Sequence, residues 1–410
     1  MGQKIKRLVV SPEKIADSLY QANVRNAERI AKTFGELKGA VMKVGQMISL
    51  QAGIFPEEFT SILSKLQQDS PPVDFELLEN QITNELNGSL DVLFKEFDEK
   101  SHASASIGQV HRAVLPDGTQ VVVKVQYPGV DAMVESDLKN LRMFFRSLGK
   151  YKLNMDVLEL WAEIRERLDE ELNYEHELQN IMLFRRLFQD DKRIIIPEPI
   201  PEYSSQHVLT MEYVPGLSWQ EIIRDEFPSD LRNKLAVLLF ETMLKQLFHF
   251  HILHADPNLS NFAFREDGSL IIYDFGCVKK FPRDFVQHYC HMVYDALHDD
   301  YQGTMSNFKK LGFSWTPEEA VDEDMVEYVA KVALRPYLAD KPYDFSEADL
   351  HEDLLSFARD HLSDDVKFEI PPDILFLDRV VGGMYGNMMK LRALGNWKDI
   401  LMTYLDVDQR

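Results

Sequence analysis

Cysteine is nearly absent from this chain: Cys277 and Cys290 are the two in 410 residues. So sparse a pair makes no disulfide framework, and no Cys/His spacing has the form of a zinc site. Positive charge is also scarce, with 45 Lys and Arg against 67 Asp and Glu and a formal net charge of -22. That field repels nucleic acid and anionic bilayers at long range, and no local basic patch opposes it, which excludes nucleic acid as a partner. Long apolar runs are missing as well. The nearest to a bilayer span, Leu235 to Leu253, is interrupted by Glu241, Lys245, Gln246, His249 and His251 and reads as a buried amphipathic helix. Met1-Gly2 lacks the Ser or Thr at position 6 that N-myristoylation needs, since Lys6 stands there. No secretory or arginine-rich transit peptide is legible at the start, so a cytoplasmic location is expected. Lys4, Lys6 and Arg7 are the basic residues that could touch a membrane surface, and with no spanning run any membrane contact is expected to be peripheral.

What is present suits a globular protein of more than one lobe: 45% apolar residues, 27% charged, and a length beyond a single ordinary core. Residues 1–95 form a predicted helical extension, with apolar residues at three- and four-residue spacing and Pro56, Pro71 and Pro72 as punctuation. Residues 96–213 change period. Gln109–Leu115 and Gln120–Val125 flank the turn Pro116-Asp117-Gly118-Thr119 as a hairpin; two helices follow, then strands at Arg193–Ile196 and His207–Glu212. Val214-Pro215-Gly216 reads as a hinge. Residues 214–410 are predicted helical except for two short strands within Phe262–Tyr273, around Glu266-Asp267-Gly268. This is an α+β, mostly helical, bilobal plan of the protein-kinase type.

The chemistry concentrates in His254-Ala255-Asp256-Pro257-Asn258-Leu259-Ser260-Asn261 and Tyr273-Asp274-Phe275-Gly276. An aspartate, an asparagine five residues on, then Asp-Phe-Gly after a hairpin is the spacing that phosphotransferases use for a base and two magnesium ligands. Asp256 is the candidate base or substrate-positioning group. Asn261 and Asp274 supply oxygens suited to Mg²⁺, and His254 holds the loop by hydrogen bonding. Lys124, ending a Val-Val-Val-Lys strand, is the candidate cation for the phosphates of ATP or ADP, with Glu177 as its orienting carboxylate. Ala103-Ser104-Ala105-Ser106-Ile107-Gly108 stands where a glycine-rich phosphate loop is expected, and Glu212, Tyr213 and Val214 complete the nucleotide-binding set. Alanine and serine resist positive φ, so that loop cannot fold over phosphates as glycines do.

Glu170 to Glu177 reads as one helix. If it is straight, Glu171 and Glu177 point in different directions and serve different partners. Ala255 replaces the arginine of the usual His-Arg-Asp, and no Ala-Pro-Glu follows Gly276, which leaves little to bind a peptide substrate.

Taken together, these residues resemble the UbiB family of atypical kinases, which includes the kinase-like protein of coenzyme Q biosynthesis. The likeness spans about residues 20–395 and rests on Lys43-Val44-Gly45-Gln46, the alanine-rich loop through Val110, Lys124-Val125-Gln126-Tyr127-Pro128-Gly129-Val130, and His254–Asn258. The resemblance implies that the extension packs over the active site, with Lys43 and Gln46 regulatory and Lys43 directed to Glu171. Asn173 departs from the family's aspartate. It also implies an isoprenoid-quinone precursor or lipid as partner. Three readings remain open: an atypical kinase or ATPase, a nucleotide-switched scaffold, and a protein kinase.

Overall fold

The computed structural model describes residues 74–105, 107–136, 138–139, 165, 168–317, 320–347 and 367–405. Most of the predicted extension, with Lys43 and Gln46, and also Ser106, lies outside them. The chain divides into two compact units: Met1–Gly118 with Val123–Asn173 and Ser205–Val208, and Thr119–Val122 with Tyr174–Ser204 and Leu209–Arg410.

The first unit begins with helix α1 (Phe75–Leu86), which buries Leu78 and Ile82 at the four-residue spacing of one helix face. It ends at Asn87, whose left-handed backbone (φ 54°) lets its N–H reach the Thr83 carbonyl. The strands that follow are β1 (Glu96–Phe97), β2 (Ala103–Ala105), β3 (Gly108–Val114) and β4 (Gln120–Gln126). β1 and β2 both pair antiparallel with β3, Glu96 facing Val114 and Ala103 facing Val110. The alanine-serine segment, expected as a loop, is therefore largely strand. Ala103 to Ala105 are extended in β2, and a turn at Ile107 precedes β3. Gly108 is required there by close packing: a Cβ would lie 2.2 Å from the Val125 carbonyl oxygen. Along β4, Val121, Val123 and Val125 are all fully buried on one face, which turns Lys124 to the other. His207 ties this unit together, with Nδ1 2.7 Å from Glu85 and Nε2 3.2 Å from Asp131.

The second unit opens with α2 (Tyr174–Leu187), whose inward stripe is Tyr174, Glu177, Ile181 and Phe184. The expectation of one helix through Glu170–Glu177 is corrected here, because the helical turns ending at Glu171 stop at Leu172–Asn173 and α2 starts afresh at Tyr174. Asn173 closes that turn, its N–H on the Glu170 carbonyl at 3.3 Å. Next come β5 (Ile194–Ile195), β6 (Val208–Glu212) and α3 (Ser229–Phe248). Helix α3 is buried nearly all round, through Leu235, Leu239, Phe240, Met243 and Leu247 among others. It stops short of the expected Leu253: His251 takes φ 54° and β7 (Ile252–His254) begins.

Strands β8 (Phe262–Phe264) and β9 (Leu270–Ile272) form the expected hairpin, turned at Gly268 with φ 89°. β5 joins β9 in parallel. A further strand, β10 (Val278–Lys280), pairs antiparallel with β7 and was not expected, since three residues are too few for an alternating pattern to register. Helices α4 (Arg283–Leu297), α5 (Tyr301–Leu311), α6 (Pro372–Lys390) and α7 (Trp397–Tyr404) follow, with a further helix at Glu323–Ala333 and short strands among them. One core joins Phe184, Phe240, Phe264, Phe275, Phe345 and Trp397, each at most 1% exposed.

Asp191 cross-links this unit. It lies 3.0 Å from Arg193, which reaches Glu241 of α3 at 3.0 Å, and 3.4 Å from Lys245. Hydrogen bonding to Arg193 outweighs the opposing effect of burial and lowers the Asp191 pKa from 3.8 to about 2. A depressed carboxylate stabilises the fold fully above its unfolded pKa and loses that contribution as pH falls through the folded value. Asp191→Asn is therefore expected to cost roughly 1–2 kcal/mol at neutral pH. The difference from wild type should vanish between about pH 4 and pH 2, as read by urea unfolding across that range.

Candidate functional site

All three members of the sequence-derived constellation lie in the second unit, where backbone hydrogen bonds bring them together. β7 delivers His254. Its N–H donates to Gln246 Oε1 at 2.7 Å and its Nε2 to the Asp274 carbonyl at 2.6 Å. A carbonyl only accepts, so Nε2 carries the proton. The ring sits against Phe275 and Phe262, at centroid distances of 5.7 and 5.6 Å. His254 thus holds Asp-Phe-Gly in place, as its sequence position suggested.

From Ala255, whose N–H bonds the Cys277 carbonyl at 2.9 Å, the chain turns through Asp256 and Pro257. Asp256 Oδ1 accepts from the Asn258 N–H at 3.2 Å, and Asn258 Oδ1 from the Ser260 N–H at 3.1 Å. Asn261 Nδ2 donates to the Asp256 carbonyl at 3.3 Å, which fixes the amide so that Oδ1 is directed away from that carbonyl. The Asn261 carbonyl in turn accepts from the Tyr273 N–H at 2.9 Å. This last bond continues the β8–β9 ladder by one rung and sets Asn261 beside the residue preceding Asp274. Asp274 Oδ1 takes the Gly276 N–H at 3.0 Å. Asp256, Asn261 and Asp274 are all partly exposed.

Glu177 is 2% exposed, and its Oε1 accepts from the Phe275 N–H at 3.3 Å. One turn along α2, Asn180 Nδ2 donates to the Phe275 carbonyl at 3.0 Å. The helix therefore grips both backbone groups of Phe275. Sequence reasoning did not foresee this Glu177–Phe275 contact and missed Asn180, which carries no motif.

Val214 is buried; its carbonyl accepts from Tyr273 Oη at 2.7 Å, and burial pushes that phenol up to about 12. A Cβ on Gly216 would lie 2.7 Å from Ile271 and 2.8 Å from Ala263, so the 214–217 segment packs against the β8–β9 hairpin without a side chain between. Glu212 is exposed and Tyr213 half-buried.

In the first unit, Lys124 is half-buried on β4, and Ala103 and Ser104 are exposed on β2, which continues through Ala105. Ile107 and Gly108 are buried, and the Ile107 carbonyl accepts from the Tyr127 N–H at 2.9 Å. Glu171 is half-buried and accepts from Gln126 Nε2 through its carbonyl at 3.1 Å; Asn173 is half-buried.

The donor chemistry fits a magnesium ion. Asn261 and Asp274 offer only oxygen, and among the described residues no cluster of three or more His, Cys, Asp or Glu forms a dedicated metal cage. Mg²⁺ in nucleotide sites takes one or two protein oxygens and keeps waters and phosphates for the rest, and Asn261 and Asp274 match that protein share.

The sequence model of the ABC1 atypical kinase-like domain matches residues 65–308, more than half of the chain. The chain belongs to this family of atypical kinases. It is 30% identical over 378 residues to atypical kinase coq-8, mitochondrial, of Caenorhabditis elegans, covering 90% of this chain and 49% of the relative. The probable serine/threonine-protein kinase abkA of Dictyostelium discoideum is 30% identical, with 76% and 58% covered. Atypical kinase COQ8, mitochondrial, of Saccharomyces cerevisiae is 29% identical, with 78% and 65% covered. The chain thus spans about half to two thirds of the length of these relatives. A solved structure, the Rv3197–erythromycin complex from Mycobacterium tuberculosis, matches with TM-score 0.68 and 24% identity over 98% of this chain and 100% of that one. The UbiB resemblance and the α+β kinase-like fold are therefore findings about this ABC1 family member. Among its described residues, no helix is long and apolar enough to cross a membrane.

Proposed function

We propose that this ABC1 protein is an atypical kinase or ATPase that binds Mg-ATP or ADP and acts on a small-molecule or lipid hydroxyl in support of isoprenoid-quinone metabolism. The observation that carries the nucleotide chemistry is the hydrogen-bonded continuity from Asp256 through Asn261 and Tyr273 to Asp274. In the proposed reaction an acceptor hydroxyl oxygen bonds to the γ-phosphorus, the bond from that phosphorus to the β,γ-bridging oxygen breaks, and ADP leaves. Asp256 takes the hydroxyl proton, or that of water when no acceptor is bound. Asn261 and Asp274 would hold Mg²⁺, which neutralises phosphate charge when bound. Lys124 would meet the phosphates with Glu177 orienting it, Ala103–Gly108 and Glu212–Val214 would contact the nucleotide, and Lys43, Gln46, Glu171 and Asn173 would regulate access.

A small acceptor is favoured over a peptide by the brevity of the link after Gly276. Val278–Lys280 is committed to pairing with β7 and α4 begins at Arg283, so little chain remains to form a peptide platform. The pathway rests on the names of the mitochondrial relatives and is tested separately, by deleting the gene and profiling quinones and their precursors. Accumulation of a precursor, reversed by wild type and not by Asp256→Ala, is expected. An unchanged profile removes the pathway while leaving the ATP chemistry in place; rescue by Asp256→Ala supports a nucleotide-switched scaffold instead.

A further inference from the structure

One buried polar contact to the catalytic loop comes from far along the chain. Asn387 on α6 is 3% exposed, and its Nδ2 donates to the Pro257 carbonyl at 2.5 Å. One turn earlier on the same helix face lies Gly383, where a Cβ would stand 2.3 Å from Pro257 Cγ and 3.2 Å from its Cβ. Helix α6 therefore closes over Pro257 with a residue that must have no side chain and, next to it, one whose amide reaches the backbone.

The geometry points to Asn387 as a positioning residue for Asp256, acting through the peptide group between Pro257 and Asn258; this rests on the proposed phosphotransfer role of Asp256. A trans peptide is planar, with its C=O and N–H directed oppositely. Here Asn387 holds the C=O end, and the N–H end donates to Asp256 Oδ1 at 3.2 Å. The proline ring fixes φ of Pro257, so its ψ is the one soft torsion left to set that plane. Asn387 sets it. The donor also polarises the carbonyl and strengthens the N–H on the opposite side as a donor to Asp256. Gly383 contributes the space that brings Pro257 within reach. Asn387 touches neither nucleotide nor acceptor in this scheme, so its effect is confined to how well Asp256 is aimed.

The test uses the full chain as wild type, Asn387→Leu, Asn387→Asp and Gly383→Ala, with two readouts. The first is Mg-dependent ADP release at varied ATP. Asn387→Leu keeps the size and removes the donor, so kcat is expected to fall about 10- to 100-fold with KM for ATP within about 2-fold; Gly383→Ala should shift kcat the same way. Asn387→Asp is inactive while ionised, because a carboxylate against a carbonyl repels it, and recovers in part as pH is lowered and the acid can donate; Asn387→Leu shows no such recovery. A general loss of packing would not produce that pH-dependent rescue.

The second readout, amide hydrogen exchange of the 255–261 segment, needs no turnover. Exchange there is expected to quicken at least about 10-fold in Asn387→Leu, with the β8–β9 hairpin unchanged. If wild type shows no turnover but the loop exchange responds, Asn387 still positions the loop and the phosphotransfer reading falls. Unchanged loop exchange, or a turning-over wild type matched in kcat by Asn387→Leu, overturns the inference.

Discussion

Replacing Asp274 by asparagine is expected to lower Mg-dependent ADP release by at least about 100-fold, the scale seen when one electrostatic contact to a charged transition state is removed. The substitution keeps the size of the side chain and can keep an acceptor oxygen for the Gly276 N–H, which Asp274 Oδ1 now bonds at 3.0 Å. It removes the negative charge that a hard cation needs. The Asp274 carbonyl still receives His254 Nε2, so the loop stays anchored. Loss of activity should therefore come without loss of fold, checked by an unfolding midpoint close to wild type beside the ADP assay. A variant with wild-type turnover would place the metal elsewhere.

The largest effect on stability is expected at the next residue. Phe275 is fully buried, with its ring 4.9 Å from Phe184 and 5.7 Å from His254. Truncating such a side chain removes its transfer free energy and leaves a cavity, so Phe275→Ala should cost about 3–5 kcal/mol. The loss has a functional side. Phe275 is also the residue whose N–H and carbonyl are held by Glu177 and Asn180, so a cavity there loosens the segment that carries Asp274. Urea denaturation should show the lower midpoint, and ADP release should fall even at temperatures where the variant remains folded. Phe275→Leu, which fills most of the space, should recover much of the stability.

The two hairpins were legible because turn chemistry is local. Gly118 and Gly268 adopt φ 93° and 89°, conformations that favour glycine, between runs of β-branched or aromatic residues. The break at Leu172–Asn173 was missed because the acids on either side continue a helical composition, and composition does not record where a turn closes. β7 and β10 were missed because each is three residues long and stabilised by pairing across intervening chain. At the candidate site, Asp256, Asn261 and Asp274 stand out by type and spacing, and backbone hydrogen bonding brings them together. The residues that aim them do not stand out: Asn180 lies 95 positions from Phe275 and Asn387 130 from Pro257, and one buried asparagine in a helical run has no spacing to betray it. Family resemblance extended the reading to the pathway, and local physical chemistry to the nucleotide.

The most direct measurement is ADP formation by the purified chain with ATP, in Mg²⁺ and in excess chelator, with phenolic and lipid hydroxyl compounds added, beside Asp256→Ala. Formation that requires Mg²⁺, rises with a phenolic or lipid acceptor, and drops about 100- to 10,000-fold in Asp256→Ala is the predicted result. Wild type and Asp256→Ala equally inactive in every condition would contradict an enzymatic role for the site.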